Sequence, residues 1–62
     1  MANPLTESDL NKINDSLRRL DEADEMIRRA KTAGLDMASQ EQQSRENRDR
    51  LQKLKQAFFP GR

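Results

Sequence analysis

Gly34 does most to limit what this chain can fold into. The chain has 62 residues, its only glycines are Gly34 and Gly61, and its only prolines are Pro4 and Pro60. Two long stretches free of helix breakers therefore meet at one residue suited to ending a helix. Before it, apolar residues fall at Leu10, Ile13, Leu17, Leu20 and Ile27, with Asp24 holding the remaining place in the series. The spacing alternates threes and fours, which is the seam of a coiled coil. Ala23 and Ala30 flank it.

The first stretch has a clear helix start. Thr6 is suited to the N-cap, with Glu7, Ser8 and Asp9 in the first turn, where negative charge suits the helix dipole. Leu5 and Leu10 have the spacing of a hydrophobic staple. Asn3 as cap with Pro4 in the first helical position is the alternative start. The predicted helices run over about 7–33 and 37–58. Asp36 can cap the second, and Ser39 with Gln42 offers a later capping box. The gap is short, so the two should fold back antiparallel. The expectation is an all-α, two-helix antiparallel hairpin, coiled-coil-like, forming one unit over 1–62. Residues 1–5 are a lead-in, and 59–62 a tail after Pro60 and Gly61 stop the helix.

The second stretch is poorer in apolar residues. Its seam is read as Met37, Gln40, Ser44, Asn47, Leu51, Leu54 and Phe58, with no apolar residue between Ser39 and Arg50. Pairs at i,i+4 support helix there: Glu41–Arg45, Glu46–Arg50 and Asp49–Lys53, as Asp15–Arg19, Asp24–Arg28 and Glu25–Arg29 do in the first helix. Folding about Gly34 sets Leu51 and Leu54 near Leu17 and Ile13, Phe58 near Leu10, Leu20 near Asn47, and Asp24 across from Ser44. Charge favours the same pairing. Residues 1–25 hold seven acids and three bases, and residues 45–62 hold six bases and two acids.

Composition narrows the chemistry. There is no Cys, His, Trp, Tyr or Val, so thiolate catalysis and ordinary zinc ligation are excluded and a sheet is disfavoured. No apolar run approaches the ~18 residues of a membrane span. The N-terminus lacks the basic and apolar regions of a signal peptide, so the expected location is the cytoplasm or a particle assembled there.

The string Leu20-Asp21-Glu22-Ala23-Asp24-Glu25-Met26-Ile27 resembles motif II of the DEAD-box RNA helicases. In that family the acidic residues hold Mg²⁺ and polarise the attacking water. The family's phosphate loop, of the type G-x-x-x-x-G-K-[ST], has no counterpart here. Leu20 and Ile27 stand one heptad apart, so the string reads as a helical repeat with an acidic surface. A cation site on Asp21, Glu22, Asp24 and Glu25 is disfavoured because they point in different directions around a helix. No catalytic, cofactor or metal residue is assigned, and no small-molecule substrate is expected.

Three surfaces remain as candidates. Arg45, Arg48, Arg50, Lys53 and Lys55 form a basic stretch, but net charge is only +1 and no aromatic lies among them, so nucleic-acid contact ranks third. Phe59 and Pro60 are read as an exposed anchor for a partner, with Phe58 as the plug of the open end. Gln40, Gln43, Ser44 and Asn47 form a polar row that faces water or a neighbouring subunit. A chain so poor in core is expected to rely on a protein partner or on homo-oligomers. The expected function is a small non-enzymatic interaction or structural subunit of a larger assembly, such as a virion accessory protein by analogy of size and shape. A regulatory binder filling a partner's groove is the alternative.

Overall fold

The computed structural model describes residues 4–62. It is a helical hairpin of α1 (Glu7–Thr32) and α2 (Ala38–Phe58). The rod measures 51 × 16 × 15 Å. Contacts between the arms show that they run antiparallel. Lys31 pairs with Glu41 near the bend, Asp24 with Ser44 at mid-length, and Glu7 with Arg62 at the open end. Asn3 lies outside the described residues.

Local chemistry sets each helix end. The Thr6 hydroxyl accepts from the Asp9 amide at 3.2 Å, and the Asp9 carboxylate accepts from the Thr6 amide at 2.9 Å. This reciprocal capping box satisfies two donors that the first turn leaves free. It also holds the Asp9 carboxyl below its usual value, chiefly through the Thr6 amide and then the Thr6 hydroxyl. At the other end, Gly34 takes φ +93°. The Leu35 amide reaches back to the Ala30 carbonyl at 3.0 Å, and the Gly34 amide to Lys31 at 2.9 Å. That pair of bonds is a Schellman stop. The Asp36 carboxylate accepts from the Ala38 amide at 3.1 Å in the bend, but the N-cap of α2 is Met37, which makes no side-chain cap bond, so Asp36 is not the cap; the Ser39–Gln42 alternative lies inside the helix.

Gly34 yields a direct test. A Cβ built there meets nothing within 4 Å, so the only penalty for a side chain is the left-handed backbone. Gly34→Ala should lower stability by about 1 kcal/mol, read as a lower denaturation midpoint by circular dichroism with unchanged helicity at the start.

The core sits at the open end, as the apolar pattern requires. Among the described residues Leu10, Ile13 and Phe59 are the buried hydrophobic ones, with Leu5, Leu17, Leu51 and Phe58 packed against them. Phe59 overturns the expectation that it is an exposed anchor. Its backbone leaves the helix at φ −136°, ψ 58°, as a residue preceding proline tends to. Pro60 and Gly61 (φ +81°) then form a turn closed by the Arg62 amide on the Phe59 carbonyl at 3.2 Å. Proline second and glycine third is the pattern of a type II turn. The turn folds the tail over the open end, with Phe59 inside and Arg62 clasping the Glu7 carboxylate through its two terminal guanidinium nitrogens. Pro60 is exposed.

Candidate interaction surface

Burial along α2 shows which side faces α1. The buried and half-buried positions are Met37, Glu41, Ser44, Arg48, Leu51, Lys55 and Phe58. Their spacing alternates fours and threes, so this is a true heptad seam. It shares Met37, Ser44, Leu51 and Phe58 with the sequence expectation. Gln40, Asn47 and Leu54 are exposed, and Glu41, Arg48 and Lys55 replace them. A heptad register leaves either flank of the Met37–Ser44–Leu51–Phe58 line free to turn inward. Charge decides it here: turned this way, Glu41 meets Lys31 at 2.8 Å and Arg48 meets two carboxylates on α1. The cost is Leu54, left 36% exposed.

Asp24 is the centre of that polar seam. Its Oδ1 accepts from the Ser44 hydroxyl at 2.5 Å and its Oδ2 from Arg48 at 2.6 Å, while Arg48 also reaches Asp21 at 2.8 Å. The Ser44 hydroxyl and then the Arg48 guanidinium hold the Asp24 carboxyl below its usual value, outweighing desolvation. The same two carboxylates raise the Arg48 pKa. Thus two acids of the helicase-like string join the arms, Asp21 and Asp24 converging on Arg48, while Glu25 pairs with Arg28 and Arg29 within α1. Among the described residues no three acidic side chains come together as a cation site would need.

Other expected pairs are redistributed. Asp15–Arg19, Glu25–Arg29 and Asp49–Lys53 form at 3.2, 3.5 and 3.0 Å, and Glu41–Arg45 at the outer limit of 4.0 Å. Asp24–Arg28 does not form, because Asp24 turns to α2. Glu46–Arg50 does not form either, because Glu46 accepts from Gln42 at 3.2 Å. Arg50 is therefore exposed and has no carboxylate partner among the described residues. The basic stretch is divided accordingly. Arg48 serves the seam, Lys53 its own helix, and Lys55 is half-buried.

The flank that α2 turns away from α1 carries an open groove. Leu20, Ala23 and Leu51, all half-buried, form its floor, with Ser16 beside them. Exposed Arg19 stands on one rim, and exposed Asn47 and Arg50 on the other. Gln40, Gln43, Asn47, Arg50 and Leu54 follow one another at helical spacing, so the displaced leucine shares this flank with the polar row, except for Ser44, which leaves the row to be buried against Asp24 in the seam. Leu20 and Asn47 both line this groove, near one another as expected from the fold-back. Arg19, Ala23 and Arg50 were missed as groove residues. The signal was present, since rotating the α2 seam by one position turns Asn47 and Arg50 outward together. A second groove, toward the bend, is lined by Asp24, Ile27, Lys31, Glu41, Ser44 and Arg48 among others, and within it Lys31 pairs with Glu41 and Arg48 with Asp24.

Among the described residues no helix is long and apolar enough to cross a membrane. Comparison with protein-family models, with curated proteins and with solved structures returns no match.

Proposed function

We propose that this chain is a non-enzymatic interaction subunit that docks onto a larger protein assembly through the flank bearing Leu20, Ala23 and Leu51. The observation that carries this reading is the groove itself. A rod this short in core nevertheless leaves an apolar floor open, with Leu54 exposed on the same flank. Among the described residues the three buried hydrophobic ones all lie at one end, and at mid-length and the bend polar contacts join the arms beside apolar side chains that are only half-buried. Such a chain gains stability when a partner covers its remaining apolar surface. The particular setting we put forward is an accessory protein of a virion-like particle, in which the hairpin is present at fixed high copy number.

Circular dichroism combined with sedimentation tests the dependence on assembly. The isolated chain should unfold at low denaturant concentration, and its stability should rise with concentration or on addition of the native assembly. A highly stable, concentration-independent two-state monomer would contradict it. Hydrolysis of ATP lost on Asp21→Ala would overturn the non-enzymatic reading altogether.

A further inference from the structure

We propose that the Leu20–Ala23–Leu51 groove takes an amphipathic helix with carboxylates flanking its apolar stripe, supplied by a different protein. The proposal rests on the docking reading above and adds the chemistry of the occupant. Two guanidinium groups, Arg19 and Arg50, stand at the groove, and among the described residues no acid lines it. This is notable in a chain with eleven acidic residues. Arg50 is the sharper marker, because the acid one turn before it is engaged elsewhere. Arg19 pairs with Asp15 at 3.2 Å, a carboxylate that Arg18 shares, and its side chain is exposed.

Shape and charge together select the occupant. The floor is a leucine–alanine–leucine trough between two helices, the surface into which a third helix sets its apolar ridge. Ala23 is the low point that lets a partner's larger side chain approach. Flanking Asp or Glu on the incoming helix then reaches Arg19 on one side and Arg50 on the other, while Asn47 supplies a neutral hydrogen-bonding site. A second copy of this chain fits less well. Laying one such groove on another gathers arginines from both copies with no carboxylate in the lining to offset them. A phosphate backbone would meet the arginines but waste the apolar floor.

The test uses the full chain and two stapled helical peptides with the same leucine stripe, one flanked by glutamate and one by lysine. Binding is followed by fluorescence anisotropy at low and high salt. The glutamate-flanked peptide should bind at least roughly fivefold tighter at low salt, the advantage shrinking as salt rises. Arg19→Glu with Arg50→Glu should reverse the preference, and Ala23→Glu should abolish binding of both while helicity is retained. Equal binding of the two peptides, or no binding of either, overturns the proposal. So does a dimer in sedimentation that Ala23→Glu dissolves, which would make a second copy the occupant and leave the docking reading standing. The docking reading is tested separately, by whether contacts of the chain in its native setting come from this flank at all.

Discussion

Phe59→Ala should abolish the folded hairpin at 25 °C. Phe59 is 7% exposed and is one of three buried hydrophobic residues among those described, the others being Leu10 and Ile13. Truncating a buried phenylalanine costs about 3–5 kcal/mol, from lost transfer free energy and the cavity left behind. A domain of this length is stable by only about 3–9 kcal/mol at the usual value per residue. This one is near the lower end, because among the described residues the buried apolar side chains are confined to one end. The loss also spreads: without Phe59 inside, the Pro60–Gly61 turn has nothing to fold against, and the Arg62–Glu7 clasp is released. Ellipticity at 222 nm should fall to that of a largely unfolded chain. Phe59→Leu should restore most of it, since volume and apolarity are largely kept. If Phe59→Ala remained as helical and stable as the parent, the tail would be peripheral and the core wrongly located.

The second large effect is expected at Asp24. Asp24→Ala removes the acceptor for Ser44, which is 7% exposed, and one of the two carboxylates on Arg48. Hydrogen bonds to charged groups contribute roughly 1.5–3 kcal/mol when shielded. The Asp24 side chain is 44% exposed, so solvent reduces this and a loss of about 1–2 kcal/mol is expected. The pH dependence has a definite sign. The folded carboxyl titrates below its unfolded value, so its contribution is complete above the unfolded value of about 3.9 and is lost as pH falls through the lower folded value. Acid titration of the parent should therefore show a stability loss below about pH 4 that is smaller in Asp24→Asn. Asp24→Leu tests the other role of the residue. A continuous apolar stripe from Leu10 to Ile27 should promote nonspecific self-association, seen as larger species in sedimentation, because the polar break that limits register and partner is gone.

Most of the architecture was legible in the sequence because its signals were local. The alternating threes and fours of α1, Thr6 before three polar residues, and Gly34 as a stop each depend on a few neighbouring residues. Asp24 facing Ser44 followed from simple counting around the bend. The rotation of α2 did not. Met37, Ser44, Leu51 and Phe58 lie a heptad apart and are compatible with either flank turning inward. Apolarity favoured Leu54, yet ion pairing with Asp21, Asp24 and Lys31 selected Arg48 and Glu41. The tail was misjudged for a related reason. Phe59 lies off the α2 stripe only while the helix continues. The bend imposed by Pro60 redirects it onto Leu10 and Ile13. Groove residues such as Arg50 depended on that same rotation, and on Glu46 choosing Gln42 over the arginine.

Site-specific photo-crosslinking in the cell of origin tests the central claim most directly. The crosslinker is placed at Asn47, on the groove, and in a parallel variant at Arg18, which is exposed and outside the groove lining. The Asn47 probe should yield one dominant protein adduct at fixed stoichiometry that Ala23→Glu eliminates, and the Arg18 probe should yield little. Equal adducts from both positions, or Asn47 adducts unaffected by Ala23→Glu, would contradict docking through this flank.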